Sequence, residues 1–269
     1  MEVEAGGRVA EVSSAPVRGV LAALMLAEGR VVPVQQLLEA LWDRPPRSAQ
    51  NNLRLHVTRL RRQLGAISPS LQDRLVTVRT DGGAGYCLRA EPEELDLAVF
   101  RGLAVRGDAE RADGRYDEAE RTLSTALELW RGPVGQDCTA SDRFRRRVAP
   151  LDELRLTVCE RRAEVGLLLG RTTEVVPDLN DVLRAAPFRE RAHANLVRAR
   201  YLAGDVAGAL RTWSRAARVL REELGLEPSD ELFDLQRAML RRDREAVFPS
   251  CGQHGDQTST IHRFGSFSA

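Results

Sequence analysis

The sequence predicts a mainly α protein in two parts: three helices and a β-hairpin in roughly the first ninety residues, then an all-α run to about residue 244. Three observations carry this. Apolar residues recur at helical spacing through most of the chain. The stretch most like a hairpin, β-branched and apolar around glycines, lies at residues 74–88. Beyond residue 94, glycine-marked turns separate one amphipathic segment from the next. The length of 269 residues favours two domains, and 43% hydrophobic with 29% charged residues suits a globular chain with a full core.

The first helix is "PVRGVLAALMLAEGR", with Pro16 in its first turn, where a missing N–H costs nothing, and Gly29 at its C-terminal side. "VPVQQLLEALW" is the second, starting at Pro33 with an apolar stripe of Val34, Leu37, Leu38 and Leu41. It stops at "DRPPR", since paired prolines do not continue a helix. Ser48 is placed to cap a third helix from Ala49 to about Leu64. After a polar connection, "RLVTVRTDGGAGYCL" reads as a hairpin with Arg79 beside its turn. No helix follows its glycines and no Lys-Ser/Thr is present, so it is not a phosphate loop. Ahead of the first helix, "GRVAEV" is the one strand expected, a shortened sheet.

In the second part, Gly114, Gly170 and Gly204 each precede a small residue and another helix. Gly170 and Gly204 are 34 residues apart, the tetratricopeptide period. Gly114 to Gly170 is 56, so an extra helix, "SDRFRRRVAPLDELRL", interrupts the register. Stacked helical hairpins are the simplest fold for such degenerate repeats. Residues 245–269 lack periodicity and are rich in Ser, Gly and Thr, the composition of a disordered tail.

The net charge of +1 hides an asymmetry. No acid lies between Asp43 and Asp73, while Arg44, Arg47, Arg54, Arg59, Arg61 and Arg62 do. Every basic residue is Arg, so position carries more meaning than number. A solvated helix face mixes signs; an acid-free window is the mark of a polyanion-binding face. On the third helix, Leu53, Val57, Leu60 and Leu64 share an arc of roughly 60°. Leu55 falls at the opposite pole with Asn51, Thr58 and Arg62, flanked by Arg54 and Arg59.

Other function classes find little footing. The opening "MEVEAGGRVAEV" has no basic start before an apolar stretch, and no apolar run approaches the roughly 18 residues of a spanning helix, so a cytoplasmic location and no membrane partner are expected. Cys87, Cys138, Cys159 and Cys251 form no C-x-x-C pair and read as reduced thiols, with neither zinc nor disulfides. No metal, cofactor or enzymatic motif is expected: H-E-x-x-H, G-x-S-x-G and Walker loops are absent, and the four His are scattered at 56, 193, 254 and 262.

The segments "LLEALW", "NNLRLHVTRLRRQLG" and "LVTVR…GAGYCL" resemble the winged helix-turn-helix of OmpR/PhoB-type regulators. "ALELWRGP", "LDELRL", "AGALRTWSRAARVL" and "EELGLEPSDELFDLQRAML" resemble the bacterial transcriptional activator domain. The two in this order, over about residues 8–244, resemble the SARP family, the Streptomyces antibiotic regulatory proteins. The expected domains are a winged helix at 1–91, an activator domain at 94–244 and a disordered tail at 245–269.

The resemblance implies a transcriptional activator of an antibiotic gene cluster, bound head to tail as two protomers on direct repeats of double-stranded DNA and recruiting RNA polymerase holoenzyme. It places Asn51, Leu55, Thr58, Arg59 and Arg62 in the major groove, where Arg and Asn reach base edges and Leu55 packs on thymine methyls. Asn52, Arg54, His56 and Arg61 fall on the flanks near phosphate, with Arg61, closest to the core side, read as structural or a phosphate contact. Arg79 and Thr80 lie on the wing, beside the minor groove. Asp43, Arg44 and Arg47 lie in a loop that contacts polymerase in such regulators. The plainer readings are a packed His56, a solvent-exposed Arg79, a proline-stiffened connector at 43–49, and a salt-bridged face for "RFRRRV" at 143–148, with acids from "LDELRL". These residues hold no receiver domain, so control through a phosphorylated receiver is not expected. The competing function is a tetratricopeptide-type adaptor that binds a protein or small ligand without reading DNA.

Overall fold

The computed structural model describes residues 1–80 and 83–248. Two compact units divide the chain: Met1–Glu110 with Asp117–Arg162, and Arg111–Tyr116 with the residues from Ala163 onward.

The first unit opens with an antiparallel hairpin, β1 (Glu2–Ala5) and β2 (Arg8–Glu11), so the N-terminal sheet has two strands where the sequence suggested one. Four helices follow: α1 (Ala15–Met25), α2 (Val34–Leu41), α3 (Ala49–Ile67) and α4 (Pro69–Arg74). The six-residue α4 occupies what read as a polar connection; its length is below what periodicity detects. Strands β4 (Leu75–Thr80) and β5 (Gly83–Leu88) form the expected hairpin. A two-residue strand β3 (Val32–Pro33) pairs with β5, completing a sheet of order β3-β5-β4. Its brevity hid it. Ser48 stands at the N-terminus of α3 without capping it; its hydroxyl instead accepts the Asn52 side-chain amide at 3.3 Å.

The same unit includes most of α5 (Asp96–Ala112), of α6 (Tyr116–Glu128) and of α7 (Asp142–Leu168), which continues through Pro150. The compact unit therefore does not end near residue 91. Phe144, Val148 and Leu151 of α7 belong to the same buried cluster as Leu37, Leu53 and Leu60. One packing detail makes this possible. A Cβ on Gly19 would sit 2.3 Å from the Thr139 carbonyl oxygen and 2.6 Å from Leu41 Cδ2, so only glycine lets the 139–141 segment lie against α1. The Thr139 amide then donates to the Ala15 carbonyl at 2.9 Å and the Ser141 amide to Ala40 at 2.8 Å.

The second unit holds α8 (Val175–Ala185), α9 (Glu190–Leu202), α10 (Val206–Val219), a π-helical turn (Leu220–Leu224), α11 (Asp230–Arg241) and α12 (Arg244–Val247). Helices α8 to α11 form the expected run of helical hairpins. The glycines that mark the turns, Gly114, Gly170 and Gly204, have φ of +74°, +76° and +91°, a region open to glycine at no steric cost. Buried Trp213 donates its indole N–H to the Leu232 carbonyl at 2.7 Å, tying α10 to α11. The expected tail begins too early: residues 244–247 are helical, and Val247 is fully buried. Residues 249–269, with Cys251, His254 and His262, lie outside the described residues.

The other cysteines are free thiols. Cys87 donates to the Gly29 carbonyl, and burial, then the neighbouring Asp137 carboxylate, pushes the Cys138 thiol up to about 12. Among the described residues no helix is long and apolar enough to cross a membrane, and no cluster of side chains suits a metal ion.

Candidate nucleic-acid interface

Helix α3 divides as its wheel requires. Leu53, Val57, Leu60 and Leu64 are 0–3% exposed and lie in the core. Leu55 is 47% exposed, and Asn51, Arg54, Thr58, Arg59 and Arg62 are exposed with it. Asn51, Leu55, Thr58 and Arg62, at helical spacing, thus present one polar, cationic surface with an apolar spot on it. The Thr58 hydroxyl donates to the Arg54 carbonyl at 2.9 Å, which leaves its oxygen lone pairs facing outward as acceptors.

Electrostatics set this surface apart. Some arginines elsewhere are paired, as in Arg74–Glu94, Arg111–Glu164 and Arg198–Glu231, and others such as Arg146 and Arg147 make no ion pair among the described residues. What distinguishes this surface is that no acid lies between Asp43 and Asp73. Among the described residues, none of Arg44, Arg47, Arg54, Arg59, Arg62 and Arg79 makes an ion pair. All six are exposed. Unneutralised guanidiniums on an acid-free helix and its adjoining loop and strand project a positive field that attracts a polyanion.

Two expected flank residues turn inward. His56 stacks on Trp42, with ring centroids 6.3 Å apart and planes at 30°. Burial, then the nearby Arg59 charge, lowers its pKa, so the ring is neutral at pH 7 and belongs to the packing of α2 on α3. Arg61 reaches the wing: Nε donates to the Leu75 carbonyl at 2.9 Å, Nη2 donates to Thr77 Oγ1 at 2.8 Å, and the guanidinium lies 6.0 Å from the Tyr86 ring centroid. Neither Thr77 nor Tyr86 is legible in the sequence as a partner of Arg61, because a partner across fifteen or more residues leaves no periodic signal. On the wing itself, Arg79 pairs with Ala84 and Thr80 with Gly83 in the strand register. The tip, Asp81 and Gly82, lies outside the described residues.

The loop between α2 and α3 is anchored from the far side of the sequence. Asp43 Oδ1 accepts the Asp142 amide at 2.8 Å, capping α7, and Ser141 Oγ donates to the Glu39 carbonyl at 2.5 Å. Arg44 and Arg47 remain exposed. In "RFRRRV", Arg143 pairs with Glu39 of α2 and Arg145 with Asp142, so the acids come from α2 and the helix start and not from "LDELRL".

Comparison with known proteins agrees with this geometry. The family model "Transcriptional regulatory protein, C terminal" matches residues 14–88, and "Bacterial transcriptional activator domain" matches residues 95–240. The chain is 35% identical over 228 residues to regulatory protein DnrI of Streptomyces peucetius, covering 84% of each chain. It is also 35% identical over 236 residues to regulatory protein AfsR of Streptomyces griseus, covering 87% of this chain and only 23% of that relative. Among solved structures, Mycobacterium tuberculosis EmbR in complex with a low-affinity phosphopeptide superposes with a TM-score of 0.78 at 29% identity, covering 90% of this chain and 64% of EmbR. With an OmpR/PhoB-type winged helix ahead of a bacterial transcriptional activator domain, the chain belongs to the SARP family of transcriptional activators.

Proposed function

We propose that the protein activates a secondary-metabolite, antibiotic-type gene cluster by binding direct repeats beside the promoter and recruiting RNA polymerase holoenzyme. The observation that carries the DNA reading is the exposed face of α3, where Leu55 sits among arginines with no ion-pair partner among the described residues. Asn51, Thr58, Arg59 and Arg62 read base edges in the major groove, and Leu55 packs on a thymine methyl. Arg54 and Asn52 lie toward the phosphates, and Arg79 with Thr80 toward the minor groove. His56 and Arg61 support the interface from behind. Arg44 and Arg47 face polymerase, while Asp43 holds their loop to α7. The protein works in the cytoplasm on the nucleoid, as two protomers head to tail, which places both α3 helices on one side of the duplex when half-sites are a helical turn apart.

A mobility-shift titration on upstream DNA tests the reading. Affinity should fall steeply with salt as counterions are released, and cooperativity should vanish when about five base pairs, half a turn, separate the repeats. A tetratricopeptide-type adaptor would show neither effect, and unaltered cooperativity would remove the tandem arrangement.

A further inference from the structure

The first unit contains a cavity of about 670 Å³ that DNA recognition does not use. Its walls come from the β1–β2 hairpin, the end of α1, the start of α5 and the 129–137 segment. Gly132 and Gly135, with φ of +148° and +77°, carry that last segment around the opening. The volume falls within the range of small-molecule sites, which are largely apolar with a few convergent polar groups.

The lining fits that description. Met25, Leu26, Leu97 and Val134 are half-buried along it. Phe100 and Trp130 meet edge to face at 5.2 Å and 80°. The Arg155 guanidinium already rests 5.8 Å from the Trp130 ring centroid, so this aromatic wall attracts a cation. The charged residues in the lining point the same way. Glu2 is paired with Arg131, and Asp137 with Arg18 and the amino terminus. Glu11 and Asp96, also in the lining, make no ion pair among the described residues; Asp96 accepts only the Leu97 amide, at 2.8 Å.

We propose that this cavity binds an aromatic organic cation, whose rings fill the apolar chamber and whose ammonium meets Glu11 and Asp96. Several lining residues pack on the same core as α3. An occupant therefore stabilises the unit that carries the proposed DNA-facing helix, with the melting temperature rising with the logarithm of ligand concentration above its Kd.

Two naphthalene probes of opposite charge decide it, used on the full chain without DNA: dansylcadaverine, a cation, and anilinonaphthalene sulfonate, an anion. Saturable dansylcadaverine binding with a rise in melting temperature is expected, with little binding of the anion. The pair Glu11→Gln and Asp96→Asn should weaken dansylcadaverine by about fivefold or more, the loss of roughly 1 kcal/mol of charge attraction, with no change in fold. Val134→Trp should block the chamber. If Val134→Trp does not fold, the carboxylate pair alone decides. Absence of saturable binding, equal binding of the two probes, or a carboxylate pair that binds like the parent would each overturn the proposal. DNA affinity is measured separately, so failure here leaves the DNA reading standing.

Discussion

Arg61 on α3 donates its Nε–H to the backbone carbonyl of Leu75 at 2.9 Å, bolting that helix to the first residue of the wing. The second guanidinium bond, to Thr77, makes this a two-pronged clamp that a lysine does not reproduce, since an ammonium is a point charge without a planar fork. Arg61→Ala should cost about 1–3 kcal/mol and erase protection at the wing end of a footprint. Arg61→Lys should fail in the same way. Were Arg61 acting as a simple phosphate contact, the lysine variant would melt and footprint like the parent.

Leu55 is 47% exposed and Leu60 fully buried on the same helix. Leu60→Ala should therefore destabilise by about 2–5 kcal/mol through a cavity. Leu55→Ala should melt like the parent yet bind DNA less tightly. Its loss should shrink on DNA in which uracil replaces the contacted thymine, which removes the methyl. Equal melting losses for the two variants would move Leu55 into the core.

Phe144, 3% exposed on α7, lies in the core cluster that includes Leu53 and Leu60. Phe144→Ala should therefore cost about 3–5 kcal/mol and lower hydrogen-exchange protection in α3 as well as α7. Full protection of the α3 amides in that variant would show that the winged helix is stable without α7.

The front domain is readable in sequence because helix period and charge agree there: the seam of α3, its exposed leucine and the acid-free window all lie between Asp43 and Asp73. The hairpin showed through its β-branched residues and glycines. What stayed hidden is long-range or short. Asp43 capping Asp142, Gly19 admitting the 139–141 segment and Phe144 entering the winged-helix core join residues about a hundred positions apart or more, beyond any local pattern. Strand β3 and helix α4 are too brief for periodicity. His56 and Arg61 were placed on the right helix, but a wheel gives an angle and not a partner, so their inward contacts were not visible.

His193, 4% exposed, hydrogen-bonds through Nε2 to the Pro187 carbonyl at 2.8 Å, so Nε2 carries the proton, and Nδ1 is buried without a partner among the described residues. Burial is the main cause that lowers its pKa in the folded chain. The unfolded chain thus protonates first, near 6.5. The resulting stability is complete above that value and is lost as pH falls through the lower folded value. Melting temperature should decline as pH falls below about 6.5. His193→Gln should flatten part of that decline, leaving the share of His56, which shifts the same way. An unchanged acid limb would show that His193 does not contribute.

If the exposed face of α3 reads DNA sequence, Arg59, exposed and without an ion pair among the described residues, carries part of the readout. Equilibrium affinity of the parent and Arg59→Ala should be measured at one salt concentration on the operator and on its single-base variants. The expected result is a loss of about 1–3 kcal/mol on the operator, with preference relaxed at one or two base pairs and kept elsewhere. An Arg59→Ala protein that binds as tightly and as selectively as the parent would contradict the account.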